Sequence, residues 1–199
     1  MKPLYLASKS PRRAEILKSL GIAFTVVPAD IDESVKQHEA PHAYVLRLCA
    51  EKAQAGLNIL ALEMDAEQLT SCVVLAADTT VCVDDDILGK PESEQDAIMM
   101  LQSLEGRSHV VHTGIALACN GVIKTAISTT RVWMKSLNRE EITAYVTTGE
   151  PMDKAGSYGI QGLGGRFVTR IDGSYTGVMG LPVFETMQLL DEYLLSKTA

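Results

Sequence analysis

An α/β protein with a mixed, twisted sheet and flanking helices is what this sequence predicts, on three observations. Apolar runs of strand character alternate with stretches whose apolar residues recur at helical spacing. One run, residues 73–77, is apolar throughout, as in a strand covered on both faces. Two long strand-like segments flank Asn120-Gly121, the strongest hairpin signal in the chain, so antiparallel pairing enters the sheet.

The elements follow in order. Residues 4–7 form a strand that leads through Ser8-Lys9-Ser10-Pro11 into a helix with Ile16, Leu17 and Leu20 on one face. Ser10 suits the N-cap, Pro11 the first helical position and Gly21 the stop. Residues 24–27 read as a second strand, followed by the acidic turn Asp30-Ile31-Asp32-Glu33. Val45, Leu48, Cys49 and Ala53 predict a long amphipathic helix from Pro41 to about Leu62, and residues 64–71 read as a polar connection. Asp78 is expected at the C-terminal end of the buried strand, with a hairpin turning at Asp84-Asp85-Asp86.

Ser93 with Asp96 resembles a capping box and opens a helix through Ile98, Leu101 and Leu104, stopped by Gly106. The hairpin strands are residues 108–119 and 122–134. Asn138 and Glu141 cap a helix through Ile142, Tyr145 and Val146. Beyond Gly149-Glu150-Pro151 lies a glycine-rich stretch, residues 156–165, then a strand at 166–171 and a turn at Asp172-Gly173. A last helix carries Met187, Leu190 and Leu194.

At 199 residues the chain accommodates one domain, or one domain divided into two lobes, and a single unit over residues 1–199 is expected. The 46% apolar and 22% charged fractions exclude a disordered or fibrous chain. A net charge of -7 is the wrong sign for gripping a nucleic acid polymer through a broad basic face, so an anionic partner must be met locally. The longest run without Lys, Arg, Asp or Glu, residues 108–123, is too short and polar to span a membrane. The opening segment lacks the apolar core of a signal peptide, so a cytoplasmic protein is expected. Cys49, Cys72, Cys82 and Cys119 are spaced apart in apolar company and read as buried free thiols.

Some residues are locally out of place. Arg12 and Arg13 occupy a first helical turn, where the macrodipole favours acidic side chains. With the Ser8-x-Ser10 loop they would suit a phosphate, whereas the plain alternative pairs them with Glu15 or a distant carboxylate. Asp78 could cap a turn, hold a divalent metal or take a proton from water. Glu33, Lys52 and Lys90 would each pass singly for solvated charges. Together with Asp78 and the arginines they make up what phosphate chemistry requires, carboxylates for a metal and cations for the oxygens. The pairs His38/His42 and His109/His112 lack the neighbours of a metal motif and read as incidental. Residues 159–165 are not a dinucleotide fingerprint, since no helix pattern follows; their glycines would let a planar ligand approach the backbone.

Several segments, in order along residues 4–190, closely resemble the Maf family of nucleoside triphosphate pyrophosphatases. They are Leu6-Ala7-Ser8-Lys9-Ser10-Pro11-Arg12-Arg13, Glu33, Arg47-Leu48 with Glu51-Lys52-Ala53, Ala77-Asp78-Thr79, Gly89-Lys90-Pro91, His112-Thr113-Gly114, and Asp153-Lys154-Ala155-Gly156 with Ile160-Gln161-Gly162. The resemblance implies an α/β fold related to the inosine triphosphate pyrophosphatases, with a cleft between two lobes. It implies cleavage of a nucleoside triphosphate to the monophosphate and pyrophosphate with a divalent metal, Mg or Mn. Asp78 would be the proton acceptor, and Ser8, Arg13, Glu33, Lys52 and Lys90 would line the phosphate and metal site, with Glu33 and Asp78 on the metal.

Arg12, Thr79 and Gln161 match the positions that set base choice and resemble the dTTP/UTP branch, modified pyrimidine nucleotides included. The chemistry of uracil and thymine agrees: an N3–H donor lies between two carbonyl acceptors. The Gln161 amide can accept from the first and donate to one carbonyl, and Arg12 can donate to the other. Two rivals remain at this point, a pyrophosphatase for damaged purine nucleotides and a nucleotide-sensing regulator of septum formation without turnover. The oligomeric state stays open, a homodimer included.

Overall fold

The computed structural model describes residues 2–84 and 86–195. Asp85 of the expected turn and the Leu194 side chain lie outside the described residues. The strands are β1 (Leu4–Leu6), β2 (Thr25–Val26), β3 (Val73–Val83), β4 (Asp86–Leu88), β5 (Ser108–Cys119), β6 (Val122–Met134) and β7 (Val168–Asp172). The helices are α1 (Pro11–Ser19), α2 (Pro41–Leu60), α3 (Ala66–Ser71), α4 (Glu94–Leu104), α5 (Arg139–Val146), α6 (Tyr175–Met179) and α7 (Val183–Leu195). The described strands make one mixed sheet in the order β2-β1-β3-β5-β6-β7, with β4 beside β3. β1 runs parallel to β2 and β3. The remaining pairs are antiparallel.

The central hairpin forms where the sequence places it. Asn120 and Gly121 adopt φ of 51° and 72°, the left-handed pair that a two-residue turn needs to match strand twist. The register then runs unbroken from Cys119 opposite Val122 to Ser108 opposite Trp133. The reciprocal cap of α5 forms as well, Glu141 N–H donating to Asn138 Oδ1 and Asn138 N–H to Glu141 Oε2. Only half of the expected box forms at α4. Ser93 Oγ accepts from Asp96 N–H, but the Asp96 carboxylate accepts from Glu92.

Asp78 does not end its strand, because β3 continues to Val83 with β5 opposite every residue from Val74 to Cys82. What changes at Asp78 is the other edge of β3. β1 covers residues 73–75 and β4 covers 81–83, so among the described residues no strand lies against 76–80. That gap in the sheet edge opens the site.

Three further departures are local. The expected polar connection contains α3, held by a reciprocal box between Asp65 and Gln68. α6 is opened by Ser174, whose Oγ accepts from Gly177 N–H. β7 starts only at Val168, because residues Leu163–Phe167 turn as a 3-10 helix.

The long strands run through two lobes. In one, Val81, Val111 and Val132 pack with Leu101 of α4, Tyr145 of α5 and Phe167. In the other, the sheet is covered on both faces. Leu6, Leu75 and Ile115 meet Leu17 and Leu181 on one side, while Val74, Ala76 and Ala116 meet Cys49 and Ala53 of α2 on the other. No helix among the described residues is long and apolar enough to cross a membrane.

Gly114 lets α2 lie close to this sheet, since a Cβ there would sit 2.6 Å from Val45 O. Gly114 is also the register partner of Asp78, so the close approach occurs beside the site. Gly114→Ala is expected to destabilise the protein by about 1–3 kcal/mol, as overpacking against backbone does. Urea unfolding should show a lower midpoint at unchanged slope. An unchanged midpoint would mean that α2 shifts away without cost.

Candidate active site

Between the lobes lies a cleft of about 1120 Å³. It is lined by all nine residues singled out in the sequence, Ser8, Arg12, Arg13, Glu33, Lys52, Asp78, Thr79, Lys90 and Gln161. They arrive from separate elements. Ser8 comes from the loop after β1, the arginines from α1, Lys52 from α2, Asp78 and Thr79 from β3, and Lys90 from the segment after β4.

At the centre, Lys52 Nζ lies 2.6 Å from Asp78 Oδ1 and 2.6 Å from Glu33 Oε1. Lys52 is 8% exposed and Asp78 7%. Removing such charges from water costs several kcal/mol per ion, so the cluster is a poor device for stability and a suitable one for chemistry. Burial would raise the Glu33 pKa, but the hydrogen bond from Lys52 and the charges of Lys52, Lys90 and Arg13 outweigh it and hold the carboxyl below its ordinary value. The negative field reaches the neighbours. Burial and then the Asp78 charge push the Cys49 thiol up to about 12, so it stays protonated. The Tyr44 phenol is also pushed up to about 12, by burial and then by Asp78 and Glu33.

The Glu33 loop is tied to α2. Tyr44 OH donates to Glu33 O at 2.9 Å, and Arg47 Nη2 donates to Ser34 O at 3.0 Å. Arg47 also makes a two-pronged contact with Glu39 at 2.6 and 2.8 Å and holds that carboxyl down to about 2.

Arg13 occupies the other face of β3. Its Nη1 donates to Ser8 Oγ at 3.0 Å, Nη2 to Thr79 Oγ1 at 3.4 Å and Nε to Gly180 O at 2.8 Å. Burial lowers its pKa, without threatening the charge of a guanidinium at neutral pH. Thr113 donates its one hydroxyl proton to Gly177 O, so Thr79 must be the donor in its 3.0 Å contact with Thr113. Thr79 is therefore committed to a chain from Arg13 through Thr113 to α6, on the side of β3 opposite Asp78.

Ser8 Oγ accepts from Arg13 and from Ser10 N–H, and among the described residues its own proton has no acceptor. Ser10 stands at the N-cap, but its side chain makes no capping bond, so the first N–H groups of α1 remain available to an anion. Arg12 pairs with Asp153 at 3.1 Å, a distant carboxylate rather than Glu15.

Gln161 is exposed in the glycine-rich loop, and that loop folds around a residue the sequence reading passed over. Glu150 Oε1 accepts from Tyr145 OH at 2.8 Å and Gly164 N–H at 3.0 Å, and Oε2 accepts from Leu163 N–H at 2.8 Å. Its only sequence signal was a place in the break Gly149-Glu150-Pro151. The histidines stand apart from this cleft. His109 is buried against Tyr158, His112 bonds Thr129, and His38, His42 and His112 line a separate cavity of about 570 Å³.

The residues present fit a divalent cation. Carboxylate oxygens of Glu33 and Asp78 already converge on one positive centre, and two hard oxygen donors are what Mg or Mn takes from a protein when substrate oxygens and water complete its shell. Among the described residues no group of three or more His, Cys, Asp and Glu could hold a metal by protein ligands alone.

An α/β sheet with a carboxylate on its central strand, a second brought to it by a loop and cations ranged around both, defines a protein built for phosphate groups. This chain belongs to the Maf family: the family model described as Maf-like protein matches residues 3–193. A Methylobacillus flagellatus protein named dTTP/UTP pyrophosphatase is 58% identical over 191 residues, covering 96% of this chain and 92% of that one. Proteins of the same name from Aliivibrio fischeri and Vibrio parahaemolyticus are 50% and 51% identical, each covering 96% of this chain and 98% and 97% of their own. Among solved structures, the Staphylococcus aureus Ham1 protein aligns at 14% identity with a TM-score of 0.44, covering 78% of this chain and 85% of that one.

Proposed function

We propose that this protein is a cytoplasmic nucleoside triphosphate pyrophosphatase that hydrolyses dTTP and UTP to the monophosphate and pyrophosphate. The observation that carries the reading is the convergence of Asp78 and Glu33 on Lys52 in the same cleft that Arg13, Lys90 and Gln161 line. Asp78 accepts a proton from water as the water oxygen bonds to the α-phosphorus. The bond from that phosphorus to the α,β-bridging oxygen breaks, and pyrophosphate leaves. Lys52, Lys90 and Arg13 stabilise charge on the phosphoryl oxygens and the leaving group, and Ser8 donates its free hydroxyl proton. A divalent cation on Glu33 and Asp78, when bound, neutralises phosphate charge.

Base choice rests on Gln161 and Arg12. The names of relatives at 50–58% identity support pyrimidine substrates, as does the hydrogen-bond pattern of an amide beside a guanidinium. Gln161→Glu replaces the amide donor with a second acceptor, so one uracil carbonyl would face a carboxylate, a mismatch of about 1–3 kcal/mol. The ratio of kcat/KM for UTP over GTP is expected to fall by about one to two decades, at 1.4 kcal/mol per tenfold. Pyrophosphate release from UTP, dTTP and GTP measures it. An unchanged ratio would show that Gln161 does not read the base, and tight binding without release would favour the sensing role.

A further inference from the structure

We propose that Glu150 is the positioning residue for base recognition, holding Gln161 and Arg12 at the separation a pyrimidine requires. The inference rests on those two side chains reading the base. Glu150 lines the same cleft but is placed to act through its neighbours. Its carboxylate receives Leu163 N–H and Gly164 N–H directly, and Gly159 N–H through Tyr145, whose hydroxyl accepts that bond at 3.1 Å. Backbone donors on both sides of Gln161 therefore end on one side chain.

The loop fits closely around that anchor. A Cβ at Gly162 would lie 2.5 Å from Glu150 Oε1, and one at Gly164 would lie 2.6 Å from Tyr145 OH. These glycines serve the approach of the loop to Glu150, beyond any approach of a ligand to the loop.

The same residue is joined to the other base reader. Its backbone carbonyl accepts from Lys154 Nζ at 2.5 Å. That ammonium also holds Asp153 Oδ1 at 2.6 Å, and Asp153 Oδ2 holds Arg12 Nη1 at 3.1 Å. A continuous set of contacts thus runs from the Gln161 loop through Glu150, Lys154 and Asp153 to Arg12. None of it touches Asp78, so loosening it should alter which base is accepted more than how fast a bound substrate reacts.

Glu150→Gln preserves volume but turns one oxygen into a donor facing N–H groups, removing the charge from the bonds that hold the loop. The expected result is a KM for UTP raised about tenfold or more, with kcat changed by less than about threefold. The UTP-to-GTP ratio of kcat/KM should fall by about tenfold or more. Tyr145→Phe, which removes the hydroxyl shared by Glu150 Oε1 and Gly159 N–H but leaves the Leu163 and Gly164 bonds in place, should move the ratio the same way by less, and it keeps the test intact if Glu150→Gln does not fold. Amide exchange at Gly159, Leu163 and Gly164 should quicken in Glu150→Gln.

A folded Glu150→Gln with wild-type discrimination overturns the proposal while leaving the proposed function standing. So does a fall in kcat shared equally by all nucleotides, which marks a structural part only. If instead the wild type does not distinguish UTP from GTP, the reading of Gln161 fails and this inference falls with it.

Discussion

Pyrophosphate release by an Asp78→Asn variant is expected to fall by roughly 10²–10⁴, the usual contribution of a positioned general base, and so to vanish in most assays. An amide has the shape of the carboxylate but cannot take a proton from water at neutral pH. The fold should survive, because the strand at Asp78 is held by its backbone ladder to β5, which the substitution does not touch. Breaking a buried ion pair ordinarily costs about 3–5 kcal/mol, since an uncompensated charge is left behind. Here Lys52 keeps Glu33 at 2.6 Å, which limits that loss. Turnover and thermal unfolding measured on one preparation separate the two effects. Near wild-type release would remove Asp78 from the proton-accepting role.

The parts of this protein legible in its sequence are those written over short distances. The β5–β6 hairpin follows from two residues that tolerate positive φ, and the cap of α5 from two side chains three residues apart. Lys52 stands out as a charge on an apolar helix face, but its partners lie 19 and 26 residues away and only the fold shows that it bridges two carboxylates. Aspartate is depleted in strands, which made Asp78 look like an end. It stays inside β3 because β1 and β4 are each three residues long and leave the edge between them open, a tertiary fact without a local signal. α3 was missed because its six residues bury nothing, so no apolar period marks it, although the Asp65–Gln68 pair was there to be read. Glu150 was invisible for a different reason. The N–H groups it receives come from 13 and 14 residues downstream, in a glycine-rich loop whose composition does not say which side chain anchors it.

Lys52→Met should lower turnover by roughly 10² or more if the ammonium meets charge that grows in the transition state. Its second effect is on titration, measured with the metal chelated. In the wild type the Glu33 pKa is held below its ordinary value, against burial, by Lys52 first and by Lys90 and Arg13. That contribution to stability is present above the unfolded pKa of about 4.3 and is lost as pH falls through the lower folded value. Methionine fills the space of Lys52 but leaves Asp78 and Glu33 facing the same point without a cation. Burial and mutual repulsion then raise a carboxyl pKa in the folded state above its unfolded value. The sign of the linkage reverses: the raised group favours the folded state at low pH and opposes it as pH rises through the unfolded pKa. The Tm deficit of Lys52→Met relative to wild type should therefore be larger at pH 8 than at pH 5. Added Mn should recover part of the deficit at pH 8, since a cation bound only by the folded state stabilises it by mass action. A deficit independent of pH would mean that Lys52 contributes packing alone, and that the two carboxylates do not depend on it for their charge.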